Sequence, residues 1–344
     1  MVVVRPRTPD IPRHPTRGKH PVTSNSPPRR TRSPLDAKIF AFIDIDTMRG
    51  LEIGALHNPQ LPVDHPNSYF LDHATADELR AKYAQDPNMA GHMAAIVDVD
   101  YVWKPGTRLR DTVVTDAPFD FVVASHVIEH IPNPIGWLQQ LAEILRPGGI
   151  VSLALPDKRF CFDARRDVTV AGRWVDAYLR DLDQPSYEQI YDQEVNRILD
   201  VDTATLWNGL DPAGLQRQDV EDADAYAYER CLARRDHREF IDLHCSTFTP
   251  ESFVDIFDTA VRLGLAPFEI VQVFPTEPPS LEFHVSLARA REPVPPRQRT
   301  RSARTPLPTD KHHSVSLSPL EIRLVMAKRA VMKAIRPLSR ARSR

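Results

Sequence analysis

Two histidines and a glutamate fall within five residues, His126-Val-Ile-Glu129-His130, inside the stretch SHVIEHIPNP (125–134). Imidazoles four residues apart on one helix face could hold zinc, with the glutamate as general base. That arrangement needs an unbroken helix. Pro132 and Pro134 follow almost at once, and a proline disfavours helical backbone in its predecessor and costs about 3 kcal/mol in a helix interior. The residues before His126, FDFVVA, read as a strand. The histidines therefore sit at a strand-to-loop junction, and no metal is expected on this motif. The chemistry left to them is proton transfer, because an imidazole titrates near neutrality. His126, at the strand end, is the first candidate for a general base and His130 the second; both also fit loop packing. His244, in REFIDLHCSTFTPESF, could enter the same site. Arg159, Asp163 and Arg166, in PDKRFCFDARR, would suit a charged acceptor such as a sugar phosphate, and equally fit a solvated charge run.

The elements that must position these residues alternate. Apolar runs at RGLEIGA (49–55), SYFLDH (68–73), AAIVDVDYV (94–102), FDFVVASHV (119–127) and GIVSLALPD (149–157) read as strands. Between the last two, PIGWLQQLAEILRPGG spaces Ile135, Leu138, Leu141 and Leu145 at helical intervals and stops at Pro147-Gly148-Gly149. Continuous apolar strands separated by helices predict an α/β fold with a mostly parallel sheet covered on both faces. The helix TPESFVDIFDTAVRLG and the strands FEIVQVF and LEFHVSLAR close it, so the last strand can run antiparallel. Residues 165–236 are polar and acidic and read as a helical insertion after the fifth strand, at the sheet edge where such folds bind ligands. That insertion is a substrate cap or a decorative helical pair.

FDFVVASHVIEHIPNPIGWLQQLAEILRPGGIVSLALPD resembles the fourth- and fifth-strand region of class I S-adenosylmethionine-dependent methyltransferases of the type 11 kind. These carry an E-H-[IVL]-x-[DN]-P turn and an L-[RK]-P-G-G helix end. The resemblance is strong over about 49–160, looser over 246–290, and implies a Rossmann-like methyltransferase domain over 35–290. LEIGALHNP with PDKRFCFDARR is also similar to a bacterial subset met near glycan-biosynthesis genes. The resemblance implies S-adenosylmethionine as cofactor. It places Glu52 toward the methionine ammonium, Gly54 and Ala55 in the turn against the methionine, and Asp72 on the ribose hydroxyls. Asp98 or Asp100 would face adenine, and Ala124 and Ser125 the methyl end. The usual E/D-x-G-x-G-x-G turn here reads Glu52-Ile-Gly54-Ala55-Leu56-His57-Asn58. Asn58 can adopt the left-handed backbone of the third glycine; leucine cannot cheaply do so at the second, so a reshaped loop is expected.

Charge is divided along the chain. Residues 1–38 hold nine Lys/Arg against two Asp/Glu, residues 291–344 fourteen against three, and the middle twenty-one against forty-one. A body this acidic does not suit nucleic acid. Residues 1–34 read as a disordered basic Pro-rich tail and 291–317 as a linker. Residues 318–338 read as a basic amphipathic helix that docks on the acidic body or lies on an anionic membrane surface. Cys161, Cys231 and Cys245 form no C-x-x-C pair, which fits a reducing cytoplasm. No apolar run approaches the 20 residues of a transmembrane helix, so the expected location is cytoplasmic, peripheral to the inner membrane face if the terminal helix binds lipid. The function implied is O-methylation of a sugar or small-metabolite hydroxyl. The rivals are a non-catalytic module that keeps the fold for binding, and a zinc hydrolase.

Overall fold

The computed structural model describes residues 34–86, 89–104, 106–199, 201–215, 222–237 and 241–292. The chain runs α1 (Pro34–Ile39), β1 (Gly50–Ile53), β2 (Ser68–Asp72), α2 (Ala76–Tyr83), β3 (Tyr101–Val102), α3 (Leu109–Thr112), β4 (Phe119–Ser125), α4 (Pro134–Ile144) and β5 (Leu145–Pro156). It continues through α5 (Ala171–Leu179), α6 (Tyr187–Asn196), α7 (Thr203–Trp207), α8 (Ala223–His237), α9 (Pro250–Arg262), β6 (Phe268–Phe274) and β7 (Glu282–Arg289).

The seven strands form one sheet in the order β3-β2-β1-β4-β5-β7-β6. Strands β1 to β5 are mutually parallel, and β7 pairs antiparallel with both β5 and β6. The expected α/β architecture with an antiparallel strand near its end is what the chain adopts. One face of the sheet buries Leu51, Ile53, Val122, Ala124, Leu153 and Val285 against Trp137 of α4, Trp174 of α5 and Phe253 and Phe257 of α9. The other packs Phe70, Phe121 and Val123 on Ile39, Phe40 and Ile43. Gly50 is required here: a Cβ would lie 2.0 Å from the Phe121 ring. Local signals fix the helix ends. Asn133 accepts from Gly136 N ahead of Pro134, and Thr249 and Ser186 form capping boxes at α9 and α6.

Two expectations about elements are corrected. The run 94–102 is strand only at Tyr101–Val102. Ile96 and Val97 are buried by packing under Leu79 and Phe70 rather than by strand pairing; an apolar run does not say which. Within 165–236, α5 contacts α4 and α9 and buries Trp174 in the main core, so it belongs to the layer covering the sheet. Helices α6 and α8 pack chiefly on each other, and α7 packs on the turn at Lys158–Phe160, where Trp207 stacks on Phe160. The expected tail over 1–34 except Pro34, the expected linker over 291–317 except Arg291 and Glu292, and the expected helix at 318–338 lie outside the described residues. No helix among the described residues is long and apolar enough to cross a membrane.

Candidate active site

Strand order reverses between β1 and β4, and the carboxyl ends of these two neighbours are where an open α/β sheet leaves a crevice. Four expected cofactor residues sit at that edge. Gly54 follows β1 with φ 74°, and a Cβ there would press on Val127 Cγ2 at 3.0 Å, so the bare backbone faces the loop after β4. Ala55 is buried, as is Ala124 in β4. Among the described residues, the buried Oγ of Ser125 at the end of β4 has no hydrogen-bond partner, and neither has the buried His57 Nδ1 in the loop after β1. Orphaned buried polar atoms are uncommon and call for a partner; these two, beside a turn too tight for a side chain, fit a methionine moiety.

The turn keeps its backbone without its glycines. Leu56 adopts φ 46°, and Asn58 is not among the residues of positive φ. The expectation is thus reversed: the leucine holds the left-handed position. Its carbonyl accepts from Val97 N at 2.8 Å, and its side chain packs on the cluster around Leu79 and Met89, contacts that offset the steric cost of about 1–2 kcal/mol.

Glu52 is buried, and its carboxylate accepts from Gln60 N at 2.9 and 3.0 Å and from Leu61 N at 2.8 Å. It pins the loop after β1. Burial outweighs these backbone bonds and pushes its pKa up to about 7. Asp72, buried at the end of β2, accepts from His73 N at 2.7 Å and lies 2.6 Å from His73 Nδ1 through the same Oδ1, which leaves Oδ2 for a ribose hydroxyl. Asp98 and Asp100 do not fit an adenine role. Both precede β3 rather than follow it. Asp98 is exposed, 3.6 Å from Arg80, and Asp100 accepts from Phe70 N at 2.9 Å inside the sheet. The residue at the carboxyl end of β3 is Trp103, bonded through its amide to Asp72 O.

The loop after β4 does not make His126 a base. At φ 54° the ring lies between two carboxylates, with Nε2 2.7 Å from Glu282 Oε1 and Nδ1 3.3 Å from Glu129 Oε1. Burial opposes its charge, but Glu129 and Glu282 overcome it and hold the imidazolium up to about 10. A ring protonated at neutral pH cannot accept a proton. Its left-handed backbone and the 3-10 turn over Ile128–His130 also exclude the helical H-x-x-E-H arrangement.

His130 and His244 are different. Each is held through Nδ1 by a carboxylate: His130 by Asp242 at 2.9 Å, His244 by the buried Asp163 at 2.5 Å. The rings meet edge to face, centroids 4.7 Å apart. Among the described residues neither Nε2 has a hydrogen-bond partner. Burial opposes charge on His130, yet Asp242 and Glu129 raise its pKa; burial likewise opposes charge on Asp163, but His244 and Arg166 bring it down to about 2. Arg166 is buried and committed to Asp163 at 2.9 Å and Asp192 at 3.0 Å. Arg159 forks onto the buried Asp157 at 2.9 and 2.6 Å. Neither arginine is free for an anionic acceptor. Arg166 and Asp163 instead position His244.

Sequence reasoning left Glu129, Asp242 and Glu282 out of the site, although EH is part of the motif it singled out. Glu282 and Asp242 carry no local signal, because only the fold brings them 156 and 112 residues back to His126 and His130.

A family model described as a methyltransferase domain matches residues 35–260. The chain belongs to the methyltransferase-domain family. Among solved structures it is similar to the CurJ carbon methyltransferase (15% identity, 71% of this chain and 48% of that one, TM-score 0.34). It is also similar to an S-adenosylmethionine-dependent methyltransferase from Mesorhizobium loti (13%, 73% and 95%, 0.35) and to CalH in complex with SAH (16%, 75% and 55%, 0.32). The chain spans about half the length of the CurJ and CalH chains it matches. No curated protein gives a match.

Proposed function

We propose that this chain is an S-adenosylmethionine-dependent methyltransferase that O-methylates a hydroxyl of a sugar or small metabolite. The observation that carries the reading is the Asp163–His244 pair at the sheet edge beside the methionine crevice. A carboxylate on Nδ1 fixes the tautomer, which leaves the Nε2 lone pair of this buried ring to take a proton from an acceptor hydroxyl. Bound cofactor supplies an electrophilic methyl group; the protein's part is to align the acceptor oxygen with it and to relieve that oxygen of its proton. Gly54, Ala55, Ser125 and His57 would hold the methionine end, and Asp72 the ribose.

A sugar acceptor is favoured by the helical insertion. Between α6 and α8 lies an open groove of about 590 Å³ lined by Tyr187, Tyr191 and Tyr228 with Glu188, Asp192 and Arg235. Aromatic faces with polar tips, flanked by charged groups, suit an amphipathic ring with many hydroxyls. Asp192 also meets Arg166, one ion pair from Asp163, so groove and histidines share one network. The location we propose is cytoplasmic, with the basic 318–338 segment at the inner membrane face if the acceptor is lipid-linked.

The experiment is to incubate the full chain with methyl-labelled S-adenosylmethionine and a panel of sugars, sugar nucleotides and amines, reading S-adenosylhomocysteine and the labelled product. Acceptor-dependent turnover on a hydroxyl, reduced about 10²–10⁴-fold in His244→Ala, is expected. Transfer only to amines, or full turnover in folded His244→Ala, refutes the reading.

A further inference from the structure

Glu129 is fully buried beside the site, and its charge is the least satisfied there. It is 0% exposed, and among the described residues neither carboxylate oxygen accepts a hydrogen bond of standard geometry. Among the described residues its one ion pair is with His126, whose Nδ1 lies 3.3 Å from Oε1. His126 offsets part of the charge at Oε1 only, and a buried carboxylate whose second oxygen has no partner is costly unless a further cation completes it. Next to it stand His130 and His244. One donor atom from each of Glu129, His130 and His244 lies within 4.8 Å of the other two.

We propose that Glu129, His130 and His244 form a binding site for a divalent transition-metal ion. Three features support it independently of the buried glutamate. Asp242 and Asp163 hold the Nδ1 atoms of His130 and His244, the carboxylate–histidine arrangement that orients an imidazole toward a metal through Nε2 and strengthens it as a ligand. These carboxylates are themselves fixed, Asp242 by Lys82 at 2.9 Å and Asp163 by Arg166 at 2.9 Å. The loops bearing the ligands are tied together, with Ser246 N donating to Glu129 O at 3.1 Å and Cys245 Sγ lying 3.5 Å from His130 O.

Two imidazoles and one carboxylate select a borderline ion of the zinc, iron(II) or manganese(II) class over magnesium or calcium, which prefer all-oxygen shells. Zinc bonds of about 2.0–2.1 Å require the donor atoms to close up by roughly 1 Å or more. Three protein ligands leave a coordination position open. With the ion bound, His244 Nε2 is a ligand and not a base, and the open position receives the acceptor hydroxyl and lowers its pKa; only that use rests on the methyl-transfer reading. His126 is outside the set, since its Nε2 is turned to Glu282.

The test uses tag-free full-length protein stripped with a chelator and titrated with Zn2+ against a chromophoric competitor, with Co2+ as an absorbing substitute. A single site with a dissociation constant of about 1 µM or below, and visible Co2+ bands of low coordination, are expected. Binding should weaken more than about 100-fold in His244→Ala, His130→Ala and Glu129→Gln, and about 10–100-fold in Asp242→Asn. Wild-type protein that binds neither ion stoichiometrically overturns the site whatever the variants do. So does full affinity in a His244→Ala chain of unchanged circular dichroism, or loss in His126→Gln with retention in His244→Ala. Cofactor titration on the same stripped protein separates the outcomes: S-adenosylmethionine binding without zinc binding removes only the metal site, and the converse removes only the methyl-transfer reading.

Discussion

Glu52→Gln removes a titrating group from the loop that closes the cofactor turn while keeping an oxygen for Gln60 N and Leu61 N. In the wild type, burial lifts the Glu52 pKa from 4.5 to about 7. The sign follows from linkage: a group whose folded pKa is raised contributes most to stability below its unfolded pKa, and that contribution is lost as pH climbs through the folded value. The gap between the two values, at about 1.4 kcal/mol per pH unit, is worth roughly 3 kcal/mol. Glu52 is 2% exposed, so solvent screening subtracts little. Urea denaturation of both proteins at steps from pH 5 to pH 8.5, taken as wild type minus variant, should show the wild type losing about 3 kcal/mol relative to the Glu52→Gln protein across that window. Any constant cost of the amide cancels in this double difference. Parallel pH curves would show that Glu52 is ionised throughout and that its amide bonds, not its desolvation, dominate.

Other perturbations probe the same edge. Asp72→Ala should weaken S-adenosylmethionine binding by about 1.5–3 kcal/mol, the worth of a charge-assisted hydrogen bond, by calorimetry; an unchanged affinity removes Asp72 from the ribose. Leu56→Gly should be more stable than Leu56→Ala by about 1 kcal/mol in denaturant, because only glycine occupies φ 46° without strain; the opposite order would mean that the loop relaxes once leucine is gone. Arg166→Met should cost about 3–5 kcal/mol, since it strands Asp163 and Asp192, and a shift of melting temperature no larger than that of a surface control would contradict this.

The sheet was legible because its strands are continuous apolar runs, and the parallel direction of the first five follows from their alternation with helices. The third strand was misjudged for a physical reason: Ile96 and Val97 are as apolar as a strand but are buried by a loop over α2. The strand-end positions of Gly54, Asp72 and Ser125 were readable from the sequence. The candidate site was misread where long-range partners decide chemistry. Nothing around His126 indicates that Glu282 closes on it and fixes its proton. Arg159 and Arg166 looked like anion binders, since carboxylates that neutralise them from inside the fold are indistinguishable in sequence from those that stay in water.

The end of the sheet at β6 carries a further consequence. Ile270 pairs with Leu287 and Gln272 with Ser286, so Val271 is an extra residue that bulges from the edge. An outer strand offers a row of unused backbone donors and acceptors to any other chain in solution. A foreign strand approaching β6 would have to match its spacing across that bulge, and would meet Glu269 and Gln272, both exposed. The irregularity therefore acts as a guard against edge-to-edge aggregation, and deleting Val271 would leave a straight rim open to pairing, at the cost of solubility rather than of the core.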